Sequence, residues 1–272
     1  MPEPGFETET PAISLNAFLA GIQEHDGSYQ AQSIRQWSQG RTLYGGLTTT
    51  TCVAVATRAF PDLPPLRSAQ IVFSGPTAGL LDLKAVSLRR GRNSAVIRVD
   101  MVADDVIAAS ALLTFAAAKP SHIAHSTLAM PAVPSPDQCE PFFGANTRAP
   151  RFASNFDMRL AAGHRPISSS SETRCAAWIK YIDYPAGNDT QALVALADAL
   201  PPAVIAQYTG PSRISSMTWG LDVLATSSNN GWKLLQSTSE WAADGYSSQA
   251  MTLWDSDGTA LAVGRQLIAL FE

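Results

Sequence analysis

The chain has 272 residues, 46% of them hydrophobic and 15% charged, with a formal net charge of −4. That is enough for one large domain or two small ones around a generous core, and the sparsely charged surface leaves a homo-oligomer open. No basic stripe is present, which argues against a nucleic-acid partner. The longest apolar run, Val106 to Ala118, is too short for a bilayer and carries Ser110 and Thr114, which argues against a membrane.

The N-terminal residues MPEPGFETET lack the basic and apolar regions of a secretory signal. Cys52, Cys139 and Cys175 are odd in number and show no metal or redox spacing. A cytoplasmic protein with free thiols and no metal is the expectation. Residues 1–12 read as a loose arm, and Ile13 to Gly21 as a short helix with Ser14 near its start. Tyr29 to Trp37 alternates roughly and reads as a first strand.

Gly45-Gly46 then opens the run LTTTTCVAVATRAF, ended by Pro61. Consecutive threonines are poor helix formers, yet Cys52, Val53, Ala56 and Phe60 make a helical stripe, so a helix is predicted with free amides at its start. From Leu66 the period changes to two. Strands are predicted at Arg67 to Phe73, Leu80 to Arg89, Ser94 to Ala103 and Val106 to Ala116, with turns at Gly75-Pro76, Gly91 and Asp104-Asp105. Lys119 to Ala149, rich in proline and small residues, reads as a surface connector, and Arg159 to Pro166 is ambiguous.

The second half repeats the first. Ser171 to Ile182 reads as a leading strand and Ala192 to Leu200 as a helix. Four more strands follow at Ile214 to Leu224, Trp232 to Ala242, Tyr246 to Trp254 and Ala260 to Phe271. Asn229-Asn230-Gly231, Asp244-Gly245 and Asp257-Gly258 supply the turns. Aligning Phe115 with Phe271 places Gln266 opposite Ser110. Two copies of strand, helix and four antiparallel strands imply two apolar helices, each wrapped by its own sheet.

The second helix, ALVALADAL, has Asp198 as its only polar side chain. Asp189 and Thr190 are N-cap candidates, and Pro201-Pro202 are expected to stop the helix. A helix apolar on every face is a buried helix, and the macrodipole at its C-terminal end disfavours a negative charge. A carboxylate kept there costs several kcal/mol or holds its proton, which marks a candidate functional group. The competing reading is that Asp198 caps a turn into the prolines or lies at a wet edge.

The run YGGLTTTTCVAVATRAFPDLPPLRSAQIVFSGPTAG, followed by LKAVSLRRGRNSAVIRVDMV, resembles the N-terminal half of the acyl-CoA thioesterase II-like family. The later segments SSMTWGLDVLA and WKLLQSTSEWAADGYSSQAMTLWDSDGTALAVGRQ resemble its C-terminal half. The resemblance implies an α+β double hot-dog, with an N-terminal unit at 13–118, a connector at 119–168 and a C-terminal unit at 169–272. It implies hydrolysis of acyl-CoA to fatty acid and CoA without a cofactor. The family's catalytic aspartate, hydroxyl residue and glutamine fall on Asp198, Ser216 and Gln266, with Ser215 as the alternative if the register slips by one. Two departures bear on acyl length and CoA contacts: FSGPT stands where the family has an FLRPG-like turn, and Thr50 and Thr51 stand where glycine and glutamine are usual.

A thioester is already activated, so a positioned water, a base and an electrophilic donor suffice. Asp198 would polarise the water. Gln266, alone, would read as an outward-facing strand residue, and Ser216 alone says nothing. The amides after Gly45-Gly46 could bind the thioester oxygen, or the glycines could merely permit close packing. Arg89, Arg90 and Arg92 could meet the CoA phosphates, although three arginines around a turn are more often a solvated hairpin tip. No G-x-S-x-G elbow supports a serine hydrolase. His25, His122, His125 and His164 lie in arm, connector or loops, which disfavours a hot-dog dehydratase. A non-catalytic acyl-CoA or lipid-binding protein of the same fold is the second functional reading.

Overall fold

Period-two sequence becomes sheet throughout the computed structural model, which describes residues 13–144 and 149–271. The arm expected over residues 1–12 lies outside the described residues. In SAVIRVDMVA, for example, Ala95, Ile97, Val99, Met101 and Ala103 turn into the core while Ser94 and Arg98 face solvent. The strands are β1 (Gln23–His25), β2 (Ser28–Gln32), the two-residue pair β3 (Ser38–Gln39) and β4 (Thr42–Leu43), β5 (Leu66–Phe73), β6 (Leu80–Arg90), β7 (Ser94–Ala103) and β8 (Val106–Ala116). The second half supplies β9 (Phe156–Gly163), β10 (Arg174–Tyr181), β11 (Arg213–Val223), β12 (Lys233–Ala243), β13 (Tyr246–Asp255) and β14 (Ala260–Phe271).

Twelve of these form one antiparallel sheet in the order β1-β2-β6-β7-β8-β5-β11-β14-β13-β12-β10-β9. The order mirrors itself about the seam between β5 and β11, where Val72 lies opposite Thr218 and Ser68 opposite Asp222. This is the double hot-dog, α+β architecture, with the two expected sheets fused edge to edge. Left-handed backbone at Asp104, Asp105, Asp244 and Gly245 makes the tight turns that the sequence places there.

The described residues form three α-helices: α1 (Leu15–Ala20), α2 (Gly45–Ala59) and α3 (Asp189–Ala197). Ser14 caps α1 by accepting from the Ala17 amide, as its position suggested. Thr48, Thr49, Thr50 and Thr51 are all fully buried in α2. Their hydroxyls are consumed: Thr48, Thr49 and Thr51 donate to the carbonyls of Tyr44, Gly45 and Leu47, four residues back, and Thr50 donates across to Gln191 of α3 at 3.2 Å. With the polar atoms satisfied, only the methyl faces remain to pack, so poor propensity is overridden.

The structure corrects four boundaries. Helix α3 begins at Asp189, with Asn188 at the N-cap position, and ends at Ala197 rather than Leu200. Pro202 has no amide to donate, and each proline disfavours helix in the residue before it, so the chain leaves the helix early and re-enters a 3-10 turn at Ala203–Gln207. The first strand stops at Gln32, and Arg35–Trp37 is a 3-10 turn that buries Trp37, whose Nε1 donates to Ile13. The ambiguous stretch around Arg159 is strand β9, which lies inside the segment 119–168 expected to be connector and pairs with β10.

α2 and α3 run antiparallel and nearly touch. A Cβ on Gly46 would sit 2.6 Å from the Ala195 carbonyl oxygen, and Tyr44 donates its hydroxyl to that same oxygen. Gly46→Ala is therefore expected to push the helices apart and lower stability by about 2–3 kcal/mol. Urea denaturation checks this, and a wild-type midpoint with an unchanged slope would contradict the close packing.

Candidate active site

Asp198 sits where α3 gives out, at its C-cap, with φ −105° and ψ 9°. Its residue is 8% exposed. α2 enters the same spot by its N-terminus, where the first amides have no intrahelical acceptor, and the Gly46 amide donates to the Asp198 carboxylate. Gly45 makes the approach possible, because a Cβ there would lie 2.7 Å from Asp198 Oδ2 and 3.3 Å from the Phe73 ring. The positive end of a first-half helix thus offsets the unfavourable end of the second-half helix.

The sheet closes the other side. Gln266 on β14 is 4% exposed, and its Nε2 donates to Asp198 Oδ1 at 3.2 Å and to Ser216 Oγ at 2.9 Å. Ser216 faces inward because of a bulge. Trp219, Leu221 and Val223 are the buried residues of β11, so strict alternation would point Met217 in and Ser216 out. The register shifts between Ser216 and Thr218, which leaves Met217 unpaired and 38% exposed and reverses the parity before it. Ser216 is half-buried and reaches Gln266, whereas Ser215 is exposed.

Burial is the largest influence on Asp198 and pushes its carboxyl up from 3.8 to about 7, with the Gly46 amide and the Gln266 side chain pulling the other way. Tyr44, stacked on Phe152 at 4.0 Å between ring centroids, is raised well above its ordinary value by burial and, next, by the charge on Asp198. The assembly therefore sets a carboxyl that ionises near neutrality beside the Ser216 hydroxyl, whose proton Gln266 leaves free.

The predicted residues do not all converge. Asp198, Ser216, Gln266, Gly45 and Gly46 come together, with one change of role: the Gly46 amide is engaged by the carboxylate itself. Arg89, Arg90 and Arg92 are exposed at the tip of the β6–β7 hairpin. Arg90 pairs with Asp62 and lies over the Phe60 ring, at the far end of α2, about 20 Å of helix from Gly46.

His25, His122 and His125 are exposed, and His164 pairs with Glu172 at 3.4 Å, so none of them is at the site. Among the described residues no cluster of three or more His, Cys, Asp or Glu could hold a metal ion. Sequence reasoning missed Tyr44, Phe73 and Gln249. The last is fully buried and donates to Gln266 Oε1 at 2.6 Å. Its signal lay in the inward phase of YSSQAMTLW, where Ser247, Gln249, Met251 and Leu253 share one face.

Two family models match the chain: the acyl-CoA thioesterase N-terminal domain over residues 34–116 and the acyl-CoA thioesterase C-terminal domain over residues 136–270. No curated protein matches in sequence. Similar solved structures include a hot-dog protein of unknown function from Alicyclobacillus acidocaldarius (20% identity, 94% of this chain and 97% of that one, TM-score 0.81). A tesB protein from Mycobacterium avium subspecies paratuberculosis is similar too (17%, 95% and 100%, TM-score 0.78). So is an acyl-CoA thioesterase II from Mycobacterium marinum (18%, 93% and 97%, TM-score 0.75). At these identities the structures share the fold.

A raised carboxyl makes a prediction about stability. The folded protein holds the Asp198 proton up to about pH 7, while an ordinary carboxyl releases it near 3.8, so between those values the folded state binds the extra proton. Stability from this group therefore falls as pH rises through that window, by on the order of 4 kcal/mol. Asp198→Asn removes the penalty but loses the Gly46 contact. It is expected to be more stable than wild type at pH 8, by about 2 kcal/mol, and to lose that advantage at pH 4. Denaturation curves at the two pH values check this, and a variant less stable at pH 8 than at pH 4 relative to wild type would contradict it.

Proposed function

Because the chain belongs to the acyl-CoA thioesterase family, we propose that it hydrolyses acyl-CoA thioesters to the free acid and coenzyme A at Asp198. The observation that carries this reading is the convergence of Asp198, Gln266 and Ser216 on one buried point beside the N-terminus of α2. Ionised Asp198 takes a proton from a water as the water oxygen attacks the thioester carbonyl carbon. Negative charge gathers on the carbonyl oxygen, where the Ser216 hydroxyl and the positive end of α2 stabilise it. The carbon–sulfur bond then breaks, and the proton held on Asp198 passes to the departing thiolate. Water is the only co-substrate.

The Gln266 amide has two tasks in this scheme. One N–H keeps Asp198 ionisable despite its burial. The other points at the Ser216 oxygen, which frees the Ser216 proton for the substrate.

Purified protein is expected to release free thiol from members of an acyl-CoA chain-length panel. Asp198→Asn is expected to reduce kcat by roughly 10²–10⁴-fold. Since the base acts ionised, kcat/KM should rise with pH, with a midpoint near the value of about 7 that burial gives Asp198. Wild-type rates in Asp198→Asn would remove the base assignment. Tight binding of an acyl-CoA with no turnover would favour the binding-protein reading instead.

A further inference from the structure

A primary amide is ambiguous: one end accepts, the other donates, and the two are nearly the same size. Gln266 serves Asp198 only if its nitrogen faces the carboxylate. Turned over, it would set a carbonyl oxygen against a carboxylate oxygen at 3.2 Å. Something must fix its direction, and the fixed point is a backbone amide. Ala203 opens the 3-10 turn just after Pro201-Pro202, and its N–H donates to Gln249 Oε1 at 3.1 Å. A backbone N–H can only donate, so the atom that it meets must be the oxygen of Gln249.

The rest follows in sequence. Ser237 Oγ donates to the same Gln249 oxygen at 2.6 Å. The nitrogen of Gln249 is then turned toward Gln266, which lies directly opposite it across β13 and β14, and donates to Gln266 Oε1 at 2.6 Å. With its oxygen committed, Gln266 has only its nitrogen for Asp198 and Ser216. Gln249 and Ser237 are both fully buried, so water does not compete for these bonds.

We propose that Gln249 is a positioning residue, which passes the donor polarity of the Ala203 amide to Gln266 so that N–H groups always face Asp198 and Ser216. The proposal rests on the thioesterase reading in that Asp198 is taken as the base. The segment that carries Asp198 out of α3 thereby supplies the reference donor for the amide that serves it. Besides Gln266, Asp198 is met by the Gly46 amide from the first half, while the Tyr44 hydroxyl, which feels the charge on Asp198, donates to the Ala195 carbonyl, so the orientation of Gln266 is the sheet's contribution to the ionisation of Asp198.

The test is Gln249→Met, which keeps an unbranched side chain of similar length and offers no donor to Gln266. With Gln266 free to turn, the acid limb of the kcat profile should move up by about one pH unit. At a pH on that limb kcat then falls about tenfold, with KM within about twofold of wild type. A merely packing role would lower the melting temperature and leave the limb in place. A folded Gln249→Met with wild-type kcat and an unmoved limb overturns the proposal.

If that variant does not fold, neutron diffraction of the perdeuterated wild type decides. Deuterons on the Gln266 atom that faces Asp198, and on the Gln249 atom that faces Gln266, support the relay; oxygen facing Asp198 overturns it. If wild type turns over no acyl-CoA, the functional reading fails by itself, and the neutron result still decides the order of the amides.

Discussion

A carboxylate taken out of water needs donors, and the shape of this protein follows from where the donors for Asp198 come from. Hydrogen bonds to a charged group contribute about 1.5–3 kcal/mol each, less than the cost of burying the charge, so two of them leave the group poised rather than permanently ionised. One is the amide of Gly46, at the start of the first-half helix; the other is the amide of Gln266, on the last strand of the second half. Neither half alone could build the site. The fused sheet, the antiparallel helices and the glycines at their crossing are what bring the two donors onto one side chain.

The close crossing also explains the threonine run. Helix α2 must pack against α3 without side-chain bulk at its N-terminus and without loose polar atoms farther along. Glycine meets the first need at 45 and 46, and threonine meets the second at 48 to 51 by returning its hydroxyls to carbonyls. Thr50 goes further and ties α2 to the Gln191 carbonyl of α3. In this chain, residues unsuited to helices by propensity are suited to a helix buried on every face from Gly46 to Ala56.

Much of this was legible in the sequence because burial leaves a periodic trace. Strands such as Ser94–Ala103 and Tyr246–Asp255 alternate, and a lone aspartate in ALVALADAL stands out because nothing near it is polar. What was not legible depends on partners distant in the chain. The bulge at Met217, which turns Ser216 inward, leaves no trace in SSMTW, where either serine could have been the residue that reaches in. Gly46 could be read as an amide donor, but not as a donor to the carboxylate 152 residues later in the chain.

Gln249 looked like any strand glutamine, since its meaning comes from Ala203 and Gln266 on either side of it. The arginines of the β6–β7 hairpin were legible as a cluster, but their place at the far end of α2 from Gly46, with Arg90 beside Asp62 and Phe60, was not.

The central claim is that burial, held in check by two donors, sets the ionisation of one carboxyl near neutrality. The direct measurement is a ¹³C NMR titration of the Asp198 carboxyl carbon in wild-type protein, assigned by comparison with Asp198→Asn. A midpoint near 7 is the predicted result. A midpoint near 3.8, where an exposed aspartate titrates, would contradict the account.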